Sequence, residues 1–267
     1  MFFKKYLILA TALIFSSISA EIIESSSIAS VTQHVTDQKT LVVFDIDNTI
    51  MEANEIRATD QWFSAMVTYA QNNGYQGLDA VNAVLPFYEA AQKATTVKAV
   101  EAIVSTVISN FQQNGNTVIA LTSRSLPFLE CTPQQFASLN IDLTKSPLCT
   151  KNITLAIKHP AQFHKGILFC SNNDKGEALQ ALLKELAFTP NKIVFIDDKE
   201  KYLLSVQKIT LSMNVPFVGI RYSFLDAKVA AFVLDEESKK LIQPKNPITQ
   251  QQTPLISYSL THEESAG

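Results

Sequence analysis

The chain has 267 residues, 46% of them apolar and 18% charged, and a formal net charge of −3, which is ample for a sizeable core and too acidic for a phosphate-backbone partner. Its three arginines, Arg57, Arg124 and Arg221, lie far apart and its lysines form no basic stripe, so a nucleic-acid footprint is not expected. There is no G-x-G-x-x-G, no Walker loop and no G-x-S-x-G, which removes the dinucleotide, P-loop and serine-hydrolase readings.

Residues 1–20, "MFFKKYLILATALIFSSISA", have a basic start at Lys4 and Lys5, an apolar run and small residues at the end, the pattern of a secretory signal cleaved after Ser19 or Ala20. The run is shorter than the ~20 residues a membrane span needs, so no stable anchor is expected and the location is periplasmic or secreted. Losing Lys4 and Lys5 leaves 20 basic against 25 acidic residues, a charge of −5.

The first strand signal is "LVVFDID" at 41–47. Residues 55–95 read as two helices joined by "NNGYQG" at 72–77, a helical cap inserted after that strand. Residues 97–113 read as one amphipathic helix with Val97, Val100, Ile103, Val104, Val107, Ile108 and Phe111 on a face. A second strand, "TVIALTSR" at 117–124, leads into a second insertion over 125–165, where "NITLAIK" at 152–158 faces "FHKGILFC" at 163–170 as a small hairpin. A helix over 175–187, strands at 192–198 and 215–222, and a Gln-, Pro-, Ser- and Thr-rich tail over 243–267 complete the chain. Short continuous apolar runs alternating with helices predict an α/β fold over 21–242: a Rossmann-like, mainly parallel sheet flanked by helices, with a small helical cap and a short β-type insertion.

In such sheets ligands bind beyond the carboxyl ends of the strands. The residues there are Asp45, Asp47 and Thr49, then Thr122, Ser123 and Arg124, then Asp197 and Asp198. So many carboxylates at one edge repel one another unless a divalent cation joins them, and oxygen ligands suit Mg²⁺. Lys175, at the start of a helix, supplies a cation beside an anion site.

These stretches, "FDIDNT", "ALTSR", "NNDKGEAL" and "VFIDDKE", resemble the four ordered motifs of the haloacid dehalogenase-like superfamily and span residues 44–200. The resemblance implies a Mg²⁺-dependent phosphomonoester hydrolase of an exported branch. Asp45 is then the nucleophile that forms an aspartyl-phosphate, and Asp47 the general acid and base. Thr122, with Ser123 as the competing hydroxyl, and Lys175 hold the phosphoryl group; Arg124 is a further candidate for a substrate anion. Metal ligation falls to Asp45, Asp47 through its backbone carbonyl, and at least one of Asp197 and Asp198. The substrate is a small phosphorylated molecule or a phosphoprotein. Phosphotransfer through the same intermediate, or an inactive exported binding protein with this fold, are the alternatives.

Other side chains point elsewhere. Trp62, Phe63 and Tyr69 fall on cap-helix positions and read as packing before substrate platforms. The four histidines show no metal or triad spacing, Cys170 reads as a small buried side chain, and Cys131 with Cys149 is the pair an exported chain would oxidise.

Overall fold

The computed structural model describes residues 19–146, 148 and 151–245. The leader expected over 1–20 lies almost entirely outside these residues, as do most of the expected tail and the Cys149 partner of the expected disulfide. No helix among the described residues is long and apolar enough to cross a membrane.

The elements in chain order are β1 (Ala20–Ser25), β2 (Thr40–Phe44), β3 (Met51–Ala53), α1 (Asp60–Asn72), α2 (Leu78–Ala94), β4 (Val97–Ala99), α3 (Val104–Gln113), β5 (Thr117–Thr122) and α4 (Cys131–Ser138). They continue with β6 (Ile153–Leu155), β7 (Ala161–His164), β8 (Ile167–Phe169), α5 (Lys175–Glu185), β9 (Lys192–Asp197), α6 (Glu200–Ser212), β10 (Phe217–Tyr222), α7 (Asp226–Ala230) and α8 (Glu236–Lys239). Among the described residues eight strands form one sheet in the order β1-β10-β9-β2-β5-β8-β7-β6. Every pairing from β1 to β8 is parallel, and β7 and β6 extend that edge antiparallel. The fold is α/β, with helices on both faces.

Alternation within the strands builds the two cores. Val42 and Phe44 of β2 and Val194 and Ile196 of β9 face one side, with Trp62, Met66 and Val104. Leu41 and Val43, Ile193 and Phe195 face the other, with Leu179, Leu182 and Leu203 of α5 and α6. Because both faces are covered, β2 and β5 are buried along their whole length, which is why they read as continuous apolar runs.

Two local expectations are corrected. The helix expected over 97–113 begins at Val104: Val97, Lys98 and Ala99 instead pair antiparallel with Ala53, Glu52 and Met51. Pairing with β3 satisfies backbone groups that a longer helix would have left to the exposed strand, while Val104, Val107, Ile108 and Phe111 keep the buried face. The segment 163–170 is two strands rather than one. Lys165 and Gly166 both have positive φ, 49° and 80°, and make the two-residue turn that folds β8 back on β7. β8 then joins β5, so this insertion continues the main sheet. Strand β1, which the leader reading hides at its first residue, pairs with β10 from Ala20↔Phe217 onward.

Candidate active site

β2 stops at Phe44, yet the Asp45 amide still donates to the Ile196 carbonyl of β9 at 2.9 Å, so Asp45 is pinned at the junction of two strands. The chain then tightens: the amides of Thr49, Ile50 and Met51 all donate to the Ile46 carbonyl, and Asn48 takes φ 62°. This turn brings Asp47 back over the strand end beside Asp45. The third carboxylate, Asp197, is the last residue of β9 and is fully buried; the Lys199 amide donates to its Oδ1 at 2.8 Å.

Lys175 reaches this point from α5. Asp174 caps the helix by accepting from the Glu177 amide at 3.0 Å, the first half of a capping box. The next residue after Lys175 is glycine for a steric reason: a Cβ at Gly176 would sit 2.4 Å from the Ser205 carbonyl oxygen of α6. That close approach draws the start of α5 against α6 and sends Lys175 into the core. Its Nζ lies 2.5 Å from Asp45 Oδ1 and 2.7 Å from Asp197 Oδ2, with the Tyr202 ring 4.2 Å away. Burial opposes the ammonium, but Asp197 and Asp45 outweigh it and raise the Lys175 pKa.

Asp45, Asp197 and Asp198 bring carboxylate oxygens within 4.8 Å of one another. With all three acids ionised, the one ammonium would leave two negative charges in excess. Accordingly burial, and then repulsion from Asp197, pushes the Asp198 carboxyl up to about 7. Burial also raises Asp45 and Asp197, more than Lys175 offsets. Hard oxygen ligands with this excess charge fit a divalent cation such as Mg²⁺.

Asp47 lines the same cavity but is paired with Arg124. Arg124 Nε and Nη2 donate to its two oxygens at 2.9 and 2.7 Å, and Arg124 Nη1 donates to Thr132 Oγ1 and Gln135 Oε1 at 2.9 and 2.8 Å. Gln135 Nε2 in turn donates to the Gln92 carbonyl, and Gln92 Nε2 donates to the Ala58 carbonyl and the Tyr88 hydroxyl. Arg124 is 5% exposed, so its donors serve the protein interior. Against this guanidinium, burial is the opposing influence and Asp47 the winning one, raising an already high pKa.

Thr122 and Ser123 both line a cavity of about 30 Å³ that also touches Asp45, Asp47, Asp198 and Lys199. Thr122 Oγ1 accepts from the Arg124 amide at 3.1 Å, leaving its own proton to donate. The Thr49 hydroxyl is a distant 3.5 Å from Asp45 Oδ2. Asp45, Asp47, Thr122, Ser123, Arg124, Lys175, Asp197 and Asp198 therefore meet at one sheet edge. Sequence reasoning missed Asp60, whose carboxylate accepts from Lys199 Nζ at 2.6 Å, and the Gln92, Thr132 and Gln135 braces, which carry no motif signal. Lys199 had one: it directly follows the acidic pair. Trp62 is core, its Nε1 donating to Ser238 Oγ at 2.8 Å. Cys170 is buried and its thiol pushed up to about 12 by that burial, which makes it no nucleophile.

Residues 23–248 match the sequence model of the family described as "Protein of unknown function (DUF2608)". The chain belongs to that family. Relatives called "Putative outer membrane protein" in Chlamydia trachomatis serovar D and Chlamydia muridarum are 26% and 27% identical to this DUF2608 chain over 182 residues, 68% of each chain. A solved haloacid dehalogenase-like family hydrolase from Streptococcus pneumoniae is similar in structure with a TM-score of 0.41 and 12% identity, covering 72% of this chain and 97% of its own.

Proposed function

We propose that this DUF2608 chain is a Mg²⁺-dependent phosphomonoester hydrolase of the haloacid dehalogenase-like type that works through an aspartyl-phosphate on Asp45. The observation that carries the reading is Lys175, whose single ammonium bridges Asp45 and Asp197 at the ends of two adjacent strands, with Asp198 completing a three-carboxylate group. A mere ion-pair network has no use for two excess negative charges. A site that receives a divalent cation and a phosphoryl group does.

Asp45, Asp197 and Asp198 would hold the cation, which neutralises phosphoryl oxygens when bound. Lys175 supplies the remaining positive charge, cancelling the repulsion between a phosphate monoester and a carboxylate nucleophile. Asp45 then forms its bond to phosphorus as the bond from phosphorus to the ester oxygen breaks. Asp47, protonated beforehand on an oxygen lone pair that Arg124 does not occupy, delivers that proton to the departing oxygen and is left as the carboxylate in its Arg124 fork. In the second half, water attacks phosphorus, its proton passes to Asp47, and inorganic phosphate leaves with Asp45 restored. The Thr122 and Ser123 hydroxyls donate to the phosphoryl oxygens throughout.

An exported, envelope-associated location belongs to the same reading, supported by the leader pattern of residues 1–20 and by the name its Chlamydia relatives carry. The test is turnover of p-nitrophenyl phosphate by the purified protein. Release of nitrophenol that needs Mg²⁺, stops with chelator and vanishes in Asp45→Asn is expected. Absence of turnover with Mg²⁺ and a broad panel of phosphomonoesters overturns the hydrolase reading. An added alcohol acceptor separates hydrolysis from phosphotransfer.

A further inference from the structure

A second, larger cavity of about 220 Å³ opens from the catalytic one, and the two share Asp47, Asp60, Ser123, Lys199 and Tyr202 in their walls. A group attached to a phosphoryl on Asp45 therefore projects into this cleft. One wall is aromatic: half-buried Phe63 of the cap faces the cleft, its ring 4.7 Å between centroids from buried Tyr88, which in turn meets buried Phe128 edge-on at 5.8 Å. Val81 and Leu85 of α2 extend it with aliphatic surface.

The charges in the cleft cancel in pairs, save one. Asp47 is taken by Arg124 and Asp60 by Lys199. Lys201 is exposed and has no carboxylate partner among the described residues; its Nζ rests 4.7 Å over the Tyr202 ring. The uncompensated charge is thus a single cation at an aromatic edge. In addition Ser125 Oγ, on a residue lining the cleft, is buried with no hydrogen-bond partner among the described residues and is free to meet a water or a ligand group. A sugar-like leaving group would find the two carboxylates already engaged and only the smaller oxygens of Ser64, Ser123, Ser125 and Asn172 left for its hydroxyls. A flat apolar ring needs no such oxygens and gains from edge and face contacts with the aromatic wall.

We infer that the substrate class is a compact aryl phosphate monoester carrying a second anionic substituent, its ring against Phe63, which Tyr88 and Phe128 back from the core, and its anion at Lys201. This rests on the phosphohydrolase reading, and the experiment separates the two. With Mg²⁺ present, kcat/KM is measured for phenyl phosphate, 4-carboxyphenyl phosphate, glycerol 3-phosphate and glucose 6-phosphate. In parallel, the binding of the hydrolysis-resistant phenylphosphonate, 4-carboxyphenylphosphonate and 2-hydroxyethylphosphonate is titrated by calorimetry. The expected order is carboxyphenyl above phenyl by about fivefold, and phenyl above both non-aromatic esters by about tenfold or more, the difference lying in KM. Lys201→Gln should shrink the carboxyphenyl-to-phenyl ratio to within about twofold, and Phe63→Ala should shrink the aryl-to-glycerol ratio. Equal kcat/KM across the four esters, or a preference for the sugar phosphate, overturns the assignment. So does a Lys201→Gln ratio equal to that of the wild type. If none of the esters turns over but the phosphonates bind in the expected order, the cleft assignment holds and the hydrolase reading falls.

Discussion

Arg124 grips both oxygens of Asp47, Nε to Oδ2 at 2.9 Å and Nη2 to Oδ1 at 2.7 Å, and is itself held from behind by Thr132 and Gln135. A planar fork on a carboxylate fixes its plane as well as its position, which a lysine's point charge does not. Arg124→Lys should therefore lower kcat by roughly 10- to 100-fold while leaving KM within about threefold, because aim and not binding is lost. The loss should be larger for alkyl phosphates, whose alkoxide must leave protonated, than for p-nitrophenyl phosphate. Asp47→Asn should show the same leaving-group bias in single-turnover formation of the aspartyl-phosphate. Equal losses for both leaving groups would show that the pair positions something other than the proton.

The excess acid in the cluster makes stability depend on pH in an unusual direction. Asp198 titrates near 7 in the folded chain, because of burial and then Asp197, against the ordinary carboxylate range when unfolded. Below pH ~4 both states hold the proton and nothing is lost. As pH rises from ~4 to ~7 the unfolded state ionises first, so folding stability falls, by at most about 4 kcal/mol for a shift of this size and less where water screens Asp198. Urea unfolding in chelator should show that decline, Asp198→Asn should flatten it, and Mg²⁺ should reverse it by binding the ionised carboxylates. A metal-free profile that rises steadily over that range, with no difference in Asp198→Asn, would contradict the assignment.

The sheet and the site edge were legible because each rests on local pattern. A strand with one face in water alternates apolar and polar residues, whereas "LVVF", "TVIALT" and "KIVFID" run on because both of their faces are covered; the polar residue after each run then marks the strand end. What stayed hidden was decided by partners distant in sequence. Val97 to Ala99 look helical until β3, far earlier in the chain, claims their backbone. The role of Arg124 was not readable either, since Gln135 lies on α4 and Gln92 on α2, and neither belongs to a motif. The turn at Lys165 and Gly166 was the nearest miss: a two-residue turn inside an apolar run, with glycine at its second position.

Gly176 tests how Lys175 is delivered. Its missing Cβ allows the Ser205 carbonyl of α6 to approach, while its amide donates to Ser205 Oγ at 2.8 Å. In Gly176→Ala the obstacle is backbone, which cannot rotate away, so α5 must shift. A loss of about 1–3 kcal/mol is expected, as for overpacking elsewhere, although alanine is the better helix former. Activity should fall beyond what unfolding explains, because Lys175 is the adjacent residue. Unfolding curves and kcat on the folded fraction measure both effects; full activity with unchanged stability would show that the contact is slack.

Lys175 itself separates a structural ammonium from a catalytic one. Removing it in Lys175→Met leaves Asp45 and Asp197 buried without their shared cation, a change that in chelator should cost about 3–5 kcal/mol of stability. Saturating Mg²⁺ should recover much of that, since a divalent ion can satisfy the same oxygens. If the ammonium only balanced the carboxylates, activity would recover along with stability. If it also cancels phosphoryl charge in the transition state, kcat/KM should stay about 100- to 1000-fold down in the folded, Mg²⁺-saturated variant, the loss typical of one positioned charge donor. Measuring stability and kcat/KM across the same Mg²⁺ titration distinguishes the two, and recovery of kcat/KM to within about threefold of wild type would assign Lys175 to folding alone.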